Sequence, residues 1–154
     1  MEFITRKPPV TSAAADAELH RYLMGLTDDV NRALERVCGV SGERDGWSWR
    51  RLPDGVAECW RCVRCTDISF AEARGALYES GGYGGIAYPF EFDRPPLLLI
   101  SVSGTEGAPC FIEQMGGKYG ATEKNTGRWR FASPLSCDGS SAVVSIYARG
   151  RVKR

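Results

Sequence analysis

The chain has 154 residues, enough for one domain that holds its own core. Its 20 Lys and Arg against 19 Asp and Glu leave a net charge of +1, which excludes the broad basic field of a sequence-independent nucleic-acid binder. The composition, 43% hydrophobic and 25% charged, excludes wholesale disorder, and the lack of any apolar run of about 18 residues excludes helical insertion into a membrane. The one histidine, His20, leaves almost nothing from which to build a His-based catalytic group or a mixed zinc site. Met1–Pro9 has no apolar signal core, so the six cysteines are expected as reduced thiols.

Residues 1–11, polar and proline-containing, read as an extended lead-in. Residues 12–38 read as one helix. Leu19, Leu23, Leu26, Val30, Ala33 and Val37 follow at alternating steps of four and three, a heptad seam about two and a half repeats long. Ser12 or Asp16 suits its start and Gly39 its stop. A helix of this length is marginal alone in water and needs a partner. Two partners fit the pattern: its own β-domain, or the same helix of identical chains in a short parallel coiled coil.

Residues 39–46, polar and glycine-containing from Ser41 to Gly46, read as a linker, and 47–154 as an all-β head. Trp47–Arg51 alternates apolar and polar, Pro53-Asp54-Gly55 signals a hairpin turn, and Val56–Cys65 reads as the return strand. A loop or single helical turn is expected over 66–75 and a short strand over Ala76–Glu79. The glycines of 81–85 then interrupt. Ile86–Phe92 resumes extended structure, with Tyr88, Phe90 and Phe92 alternating, until Pro95-Pro96 breaks the ladder. Leu97–Ser103 reads as a strand buried on both faces. Cys110–Met115, Gly127–Ala132 and Ser141–Ala148 complete the set, with Asp138-Gly139 as a turn before the last. Some eight short strands at this spacing predict an antiparallel sandwich or jelly roll.

The candidates for chemistry are sparse. Cys59, Cys62 and Cys65 have metal-ligand spacing, but a strand turns Cys62 away from the other two, so half-buried strand cysteines are the expectation. Gly82–Ala87 fits a loose dinucleotide fingerprint without the helix that must follow it, and Gly116-Gly117-Lys118-Tyr119 lacks the rest of a phosphate loop. Glu91 and Asp93, on one face of an extended segment, are the one carboxylate pair resembling a glycosidase couple, though solvated strand acids are far commoner. No cofactor, metal or catalytic set is therefore expected. Trp47, Trp49, Tyr83, Tyr119 and Trp129 are candidate glycan-contact aromatics, because a flat ring offers an apolar face to a pyranose.

Several segments resemble one family. Trp47-Ser48-Trp49-Arg50-Arg51-Leu52-Pro53-Asp54-Gly55-Val56-Ala57-Glu58-Cys59-Trp60 resembles the W-x-Y-R-K-W-x-x-G-x-A-E-x-W opening of C-terminal domains in tail and structural proteins of tailed bacteriophages and prophages. Tyr88–Pro96, leading into Leu97-Leu98-Leu99, is similar to that family's Y-P-F-x-F-x-x-x-P step. Ile146–Lys153 is similar to its terminal A-x-G-R-W-K, with Val152 in place of the aromatic. Lys7-Pro8-Pro9, Glu18–Leu23 and Asn31–Leu34 resemble its short N-terminal helix. The resemblance implies a non-enzymatic virion component assembled in the host bacterial cytoplasm. It implies a homotrimer with β heads on a short helical stalk, the seam running through Leu19, Leu23, Leu26, Val30, Ala33 and Val37. The implied partners are other copies of the chain, other tail or baseplate proteins, and host surface polysaccharide, with no nucleic acid. Two other readings stay open: a baseplate, collar or head-fibre part without a receptor, and a small glycan hydrolase.

Overall fold

The computed structural model describes residues 15–153. The lead-in 1–11 and the Ser12 cap lie outside the described residues. The chain divides after Val40 into two compact units.

In the first unit, helix α1 spans Ala15–Cys38, with Asp16 inside it. The Gly39 N–H donates to the Glu35 carbonyl at 3.0 Å and closes its last turn. No helix among the described residues is long and apolar enough to cross a membrane.

The second unit is mainly antiparallel β, in two sheets enclosing one core. The first sheet runs β1 (Val40–Arg44), β2 (Trp47–Arg51), β3 (Val56–Ile68), β10 (Ser140–Arg151), β7 (Leu97–Glu106). The stretch 39–46 is therefore not a linker. Val40–Arg44 is a strand, and Asp45 and Gly46 form its turn at φ of +52° and +76°. Both central residues of this two-residue hairpin take the left-handed conformation that follows the twist of the strands, which an Asp-Gly pair tolerates. The second turn is held by Gly55 N–H to Leu52 O at 3.1 Å and by the Asp54 carboxylate accepting from Val56 N–H at 2.9 Å.

The second sheet contains β4 (Glu72–Arg74), β5 (Leu77–Glu79), β9 (Arg128–Ser133) and β6 (Tyr83–Gly84), with β8 (Phe111–Gln114) also on β9. The loop expected over 66–75 thus holds strand β4, paired with β5 from Glu72↔Glu79 to Arg74↔Leu77. A single 3-10 turn covers Gly117–Tyr119. Ile86–Phe92 does not form a strand. Its backbone groups are met by the 123–126 loop instead: Tyr88 N–H donates to Lys124 O and Phe92 N–H to Glu123 O, each at 2.9 Å.

Strand alternation sets the core. Ala57, Cys59 and Cys65 of β3 and Ala142, Val144, Ile146 and Ala148 of β10 point inward, facing Trp129 and Phe131 of β9. Each fully buried aliphatic or aromatic side chain contributes about 1.5–3 kcal/mol. Aromatic residues close one flank: Trp47 meets Tyr88, Tyr88 meets Phe92, Phe92 meets Phe90 and Phe90 meets Trp49, at centroid separations of 5.1–6.2 Å. The Trp47 indole N–H donates to Ala87 O at 2.8 Å, which ties the 86–92 segment to β2.

Leu97–Ser103 is not buried on both faces. Strand β7 is the edge of its sheet, and Leu97 and Leu99 are 61% and 57% exposed. Leu98, Ile100 and Val102 alone of its apolar residues pack on the core.

Two glycines with nearly the same backbone angle separate crowding from conformational strain. Gly127 (φ +66°) would place a Cβ 2.4 Å from the Gly120 carbonyl carbon, whereas a Cβ at Gly139 (φ +71°) meets nothing within 4 Å. Gly139→Ala is expected to cost about 1–2 kcal/mol, the left-handed penalty alone. Gly127→Ala is expected to cost clearly more, because the obstacle is backbone. Denaturant midpoints of the two variants check this, and equal losses would show that the 120–127 crossing yields freely.

Candidate functional site

The helix carries exposed apolar residues along its seam. Leu19, Leu23, Val30 and Val37 are 42%, 49%, 41% and 78% exposed, Leu26 is half-buried, and Ala33 is exposed. All six seam residues lie within α1. Met24 and Leu34 are exposed as well, and so is His20.

On the head, the glycan-contact candidates separate. Trp47 and Trp129 are 1% exposed and belong to the core, so neither can offer a ring face to a ligand. Trp49 is half-buried, with the Phe90 ring edge-on at 6.2 Å. Tyr83 is half-buried with its ring edge-on to Phe131 at 5.1 Å. Tyr119 is exposed at the 3-10 turn, with the Lys118 ammonium and the Arg128 guanidinium 4.9 and 5.5 Å from its ring centre. These five residues do not converge on one site.

The exposed tryptophan is Trp60, which the sequence reading passed over. It stands on the outward face of β3, in register with Tyr147 of β10, which is in turn in register with Leu99 of β7. The row is an open groove of about 380 Å³, with Cys62, Ser101 and Ser145 on the next row. A usable signal was present: Trp60 shares strand parity with Glu58 and Arg64, which cannot face an apolar core.

One row the other way, the same face is charged. The Glu58 carboxylate, its side chain 8% exposed, accepts from Arg50 at 2.6 Å and lies 3.3 Å from Arg149. The Arg50 hydrogen bond holds the Glu58 carboxyl below its ordinary value of 4.5, against the opposing effect of burial and with help from the Tyr147 hydroxyl and the two arginine charges. This network fixes Tyr147 beside Trp60.

Cys59 and Cys65 point inward and Cys62 outward, as the strand parity predicts. Burial pushes the Cys59 thiol up to about 12 and raises Cys65 too, so neither offers a ready thiolate. Among the described residues no three His, Cys, Asp or Glu group as metal ligands would. Glu91 does not pair with Asp93 as a catalytic couple: it accepts from Lys153 Nζ at 2.7 Å with Lys124 at 3.9 Å, and the Lys153 hydrogen bond lowers its carboxyl. A carboxyl held ionised is a poor general acid. Gly82–Ala87 contains β6 and leads into no helix.

No family model and no curated protein matches the chain. Two solved structures are similar to it. An N-truncated R1-type pyocin tail fibre shares 14% identity over 78% of this chain and 94% of its own, at a TM-score of 0.44. A C-terminal portion of the P. aeruginosa R1 pyocin fibre shares 16% over 72% of this chain, which spans 28% of that one, at 0.43.

Glu58 sets a pH dependence with a definite sign. Its pKa is lower folded than unfolded, so its contribution is present above about pH 4.5 and disappears as pH falls through the lower folded value. Glu113, lowered chiefly by its Arg130 hydrogen bond, acts in the same direction. Glu58→Gln is expected to cost about 1–3 kcal/mol at pH 7 by removing the arginines' anion, and to flatten the loss of stability between pH 5 and pH 3. Urea midpoints across that range check it, and an unchanged slope would exclude Glu58 from the acid response.

Proposed function

We propose that the chain is a homotrimeric, fibre-like surface component of a tailed-phage or prophage virion, whose β head attaches to host-surface glycan. The observation that carries this reading is the heptad seam of α1, in which Leu19, Leu23, Val30 and Val37 are exposed. Leucines and valines at this exposure on consecutive turns are unfavourable unless another surface covers them, and the period of the seam fits copies of the same helix. The motif resemblance over 47–60, 88–99 and 146–153 supports a virion role. Trp60 supports the glycan contact, since an exposed indole beside the Tyr147 ring and the Ser101 and Ser145 hydroxyls offers both stacking and hydrogen bonds to a pyranose.

A second reading has its own observation. Leu97 and Leu99 extend the apolar row towards the sheet edge, which suits a protein partner better than a sugar. In that case the head docks on another virion protein and binds no host receptor.

Light scattering of the purified chain is expected to give three times the 16.9-kDa monomer mass. Leu26→Asp is expected to reduce it to the monomer with the β-sheet circular dichroism intact, because a charge in a packed seam costs several kcal/mol. A wild-type monomer would overturn the trimer.

On a glycan array the wild type is expected to bind and Trp60→Ala to lose at least tenfold in retained signal. Binding by neither favours the structural reading, and equal binding by both removes Trp60 from the contact.

A further inference from the structure

The geometry points to a second ligand site on the head: a pocket for a phosphate-class oxyanion between the β2–β3 turn and the end of β10. The pocket holds about 460 Å³ and is lined by Arg51, Leu52, Gly55, Asp93, Arg151, Val152 and Lys153. All of its lining residues belong to one chain.

Its rim is fixed by backbone. Gly55 O accepts from Val152 N–H at 3.0 Å, Arg151 O from Asp93 N–H at 2.9 Å, and Glu91 O from Lys153 N–H at 3.1 Å. The turn, the β10 terminus and the 91–93 segment therefore hold one another before any ligand arrives.

Among the described residues, two of its three cations have no carboxylate partner in a salt bridge: no carboxylate lies within 4.0 Å of the Arg51 or the Arg151 side-chain nitrogens, whereas Lys153 is paired with Glu91. Arg51 is held instead by rings, its guanidinium carbon 4.9 Å from the centre of Phe90 and 5.9 Å from that of Trp49. Stacking positions the guanidinium plane and leaves its N–H fork open. Asp54, the acid within the turn, is engaged with Val56 N–H. The remaining carboxylate, Asp93, lines the pocket and opposes an anion there.

Two guanidinium forks facing one concavity repel each other, and a tetrahedral oxyanion relieves that repulsion while accepting paired hydrogen bonds from both. Near neutral pH phosphate carries enough charge to offset two arginines, which a single carboxylate does not.

Amide chemical shifts of the full-length protein, titrated with inorganic phosphate at constant ionic strength, read the site. Saturating shifts are expected at Gly55, Asp93, Val152 and Lys153. Arg151→Gln is expected to weaken binding at least tenfold, Asp93→Asn to strengthen it several-fold, and Arg128→Gln, outside the pocket, to leave it unchanged. Parallel titrations with glucose 1-phosphate and glucose identify the source. Tighter binding of the phosphorylated sugar with glucose inert assigns a phosphorylated saccharide, and equal binding of the two phosphates assigns the free anion; each upholds the pocket. Shifts spread evenly over exposed arginines, indifference to Arg151→Gln, or weaker binding by Asp93→Asn would overturn it. Light scattering in the same samples separates failure here from failure of the trimer.

Discussion

The pairing of β10 between β3 and β7 is the interaction on which the head depends. Strand β10 is an interior strand of the first sheet, next to the edge strand β7, in register with β3 from Ala142↔Cys65 to Arg151↔Val56 and with β7 from Val144↔Val102 to Arg149↔Leu97. Both neighbours are distant in sequence, so the sheet is complete only when β10 is in place. Such non-local pairing makes folding slow relative to a helical protein of this size. It also fixes everything described on the outer face, because the register of β10 places Tyr147 against Trp60 and Leu99 at once. A slip of one residue would exchange that row for the core residues Ile146 and Ala148.

The inward side of β10 shows why the sandwich can close. Ala142 and Ala148 bracket Val144 and Ile146, so the strand is bulky at its centre and thin towards its ends. Gly150 continues the taper, since a Cβ there would stand 2.9 Å from the Phe92 ring. The Phe92↔Val152 bridge then draws the 86–92 segment across the end of the sheet. The aromatic residues of that segment cover a flank that a strand could have covered, and they leave its backbone to be satisfied by the 123–126 loop. The same bridge brings Asp93 beside Arg151, so the end pocket follows from how the sandwich is capped.

Much of this was legible in the sequence, and where it was not the reason is physical. Alternation located β2, β3, β9 and β10, and Pro-Asp-Gly located a turn, because these signals are local. The polar run Ser41–Arg44 resembled a linker because both faces of an edge strand can be solvated, which removes the alternation that would mark it. Ile86–Phe92 alternates like a strand, yet hydrogen-bond partners rather than side-chain pattern decide whether a strand exists. Leu97–Ser103 looked doubly buried because sequence does not say which strand is at an edge. The aromatic residues were harder: Trp47 and Trp129 differ from Trp60 in which way a registered strand turns them, and only Trp60 shares parity with unmistakably charged neighbours.

These features bear on why an exposed seam would belong on such a chain. The Trp60 groove and the end pocket are both shallow and open, and an open site immobilises few ligand atoms and leaves much of the ligand in water. Affinity per site is then low whatever its chemistry. In the proposed assembly, copies joined through α1 would present several such sites to one repetitive surface. The second contact then forms at the effective concentration set by the first, a gain of about 10²–10⁴ that needs no deeper pocket. A lone chain with the same head would have no comparable route to tight attachment. On this account the apolar seam is what makes weak head sites sufficient, and a deep, enclosed cavity in the head would have removed the need for it.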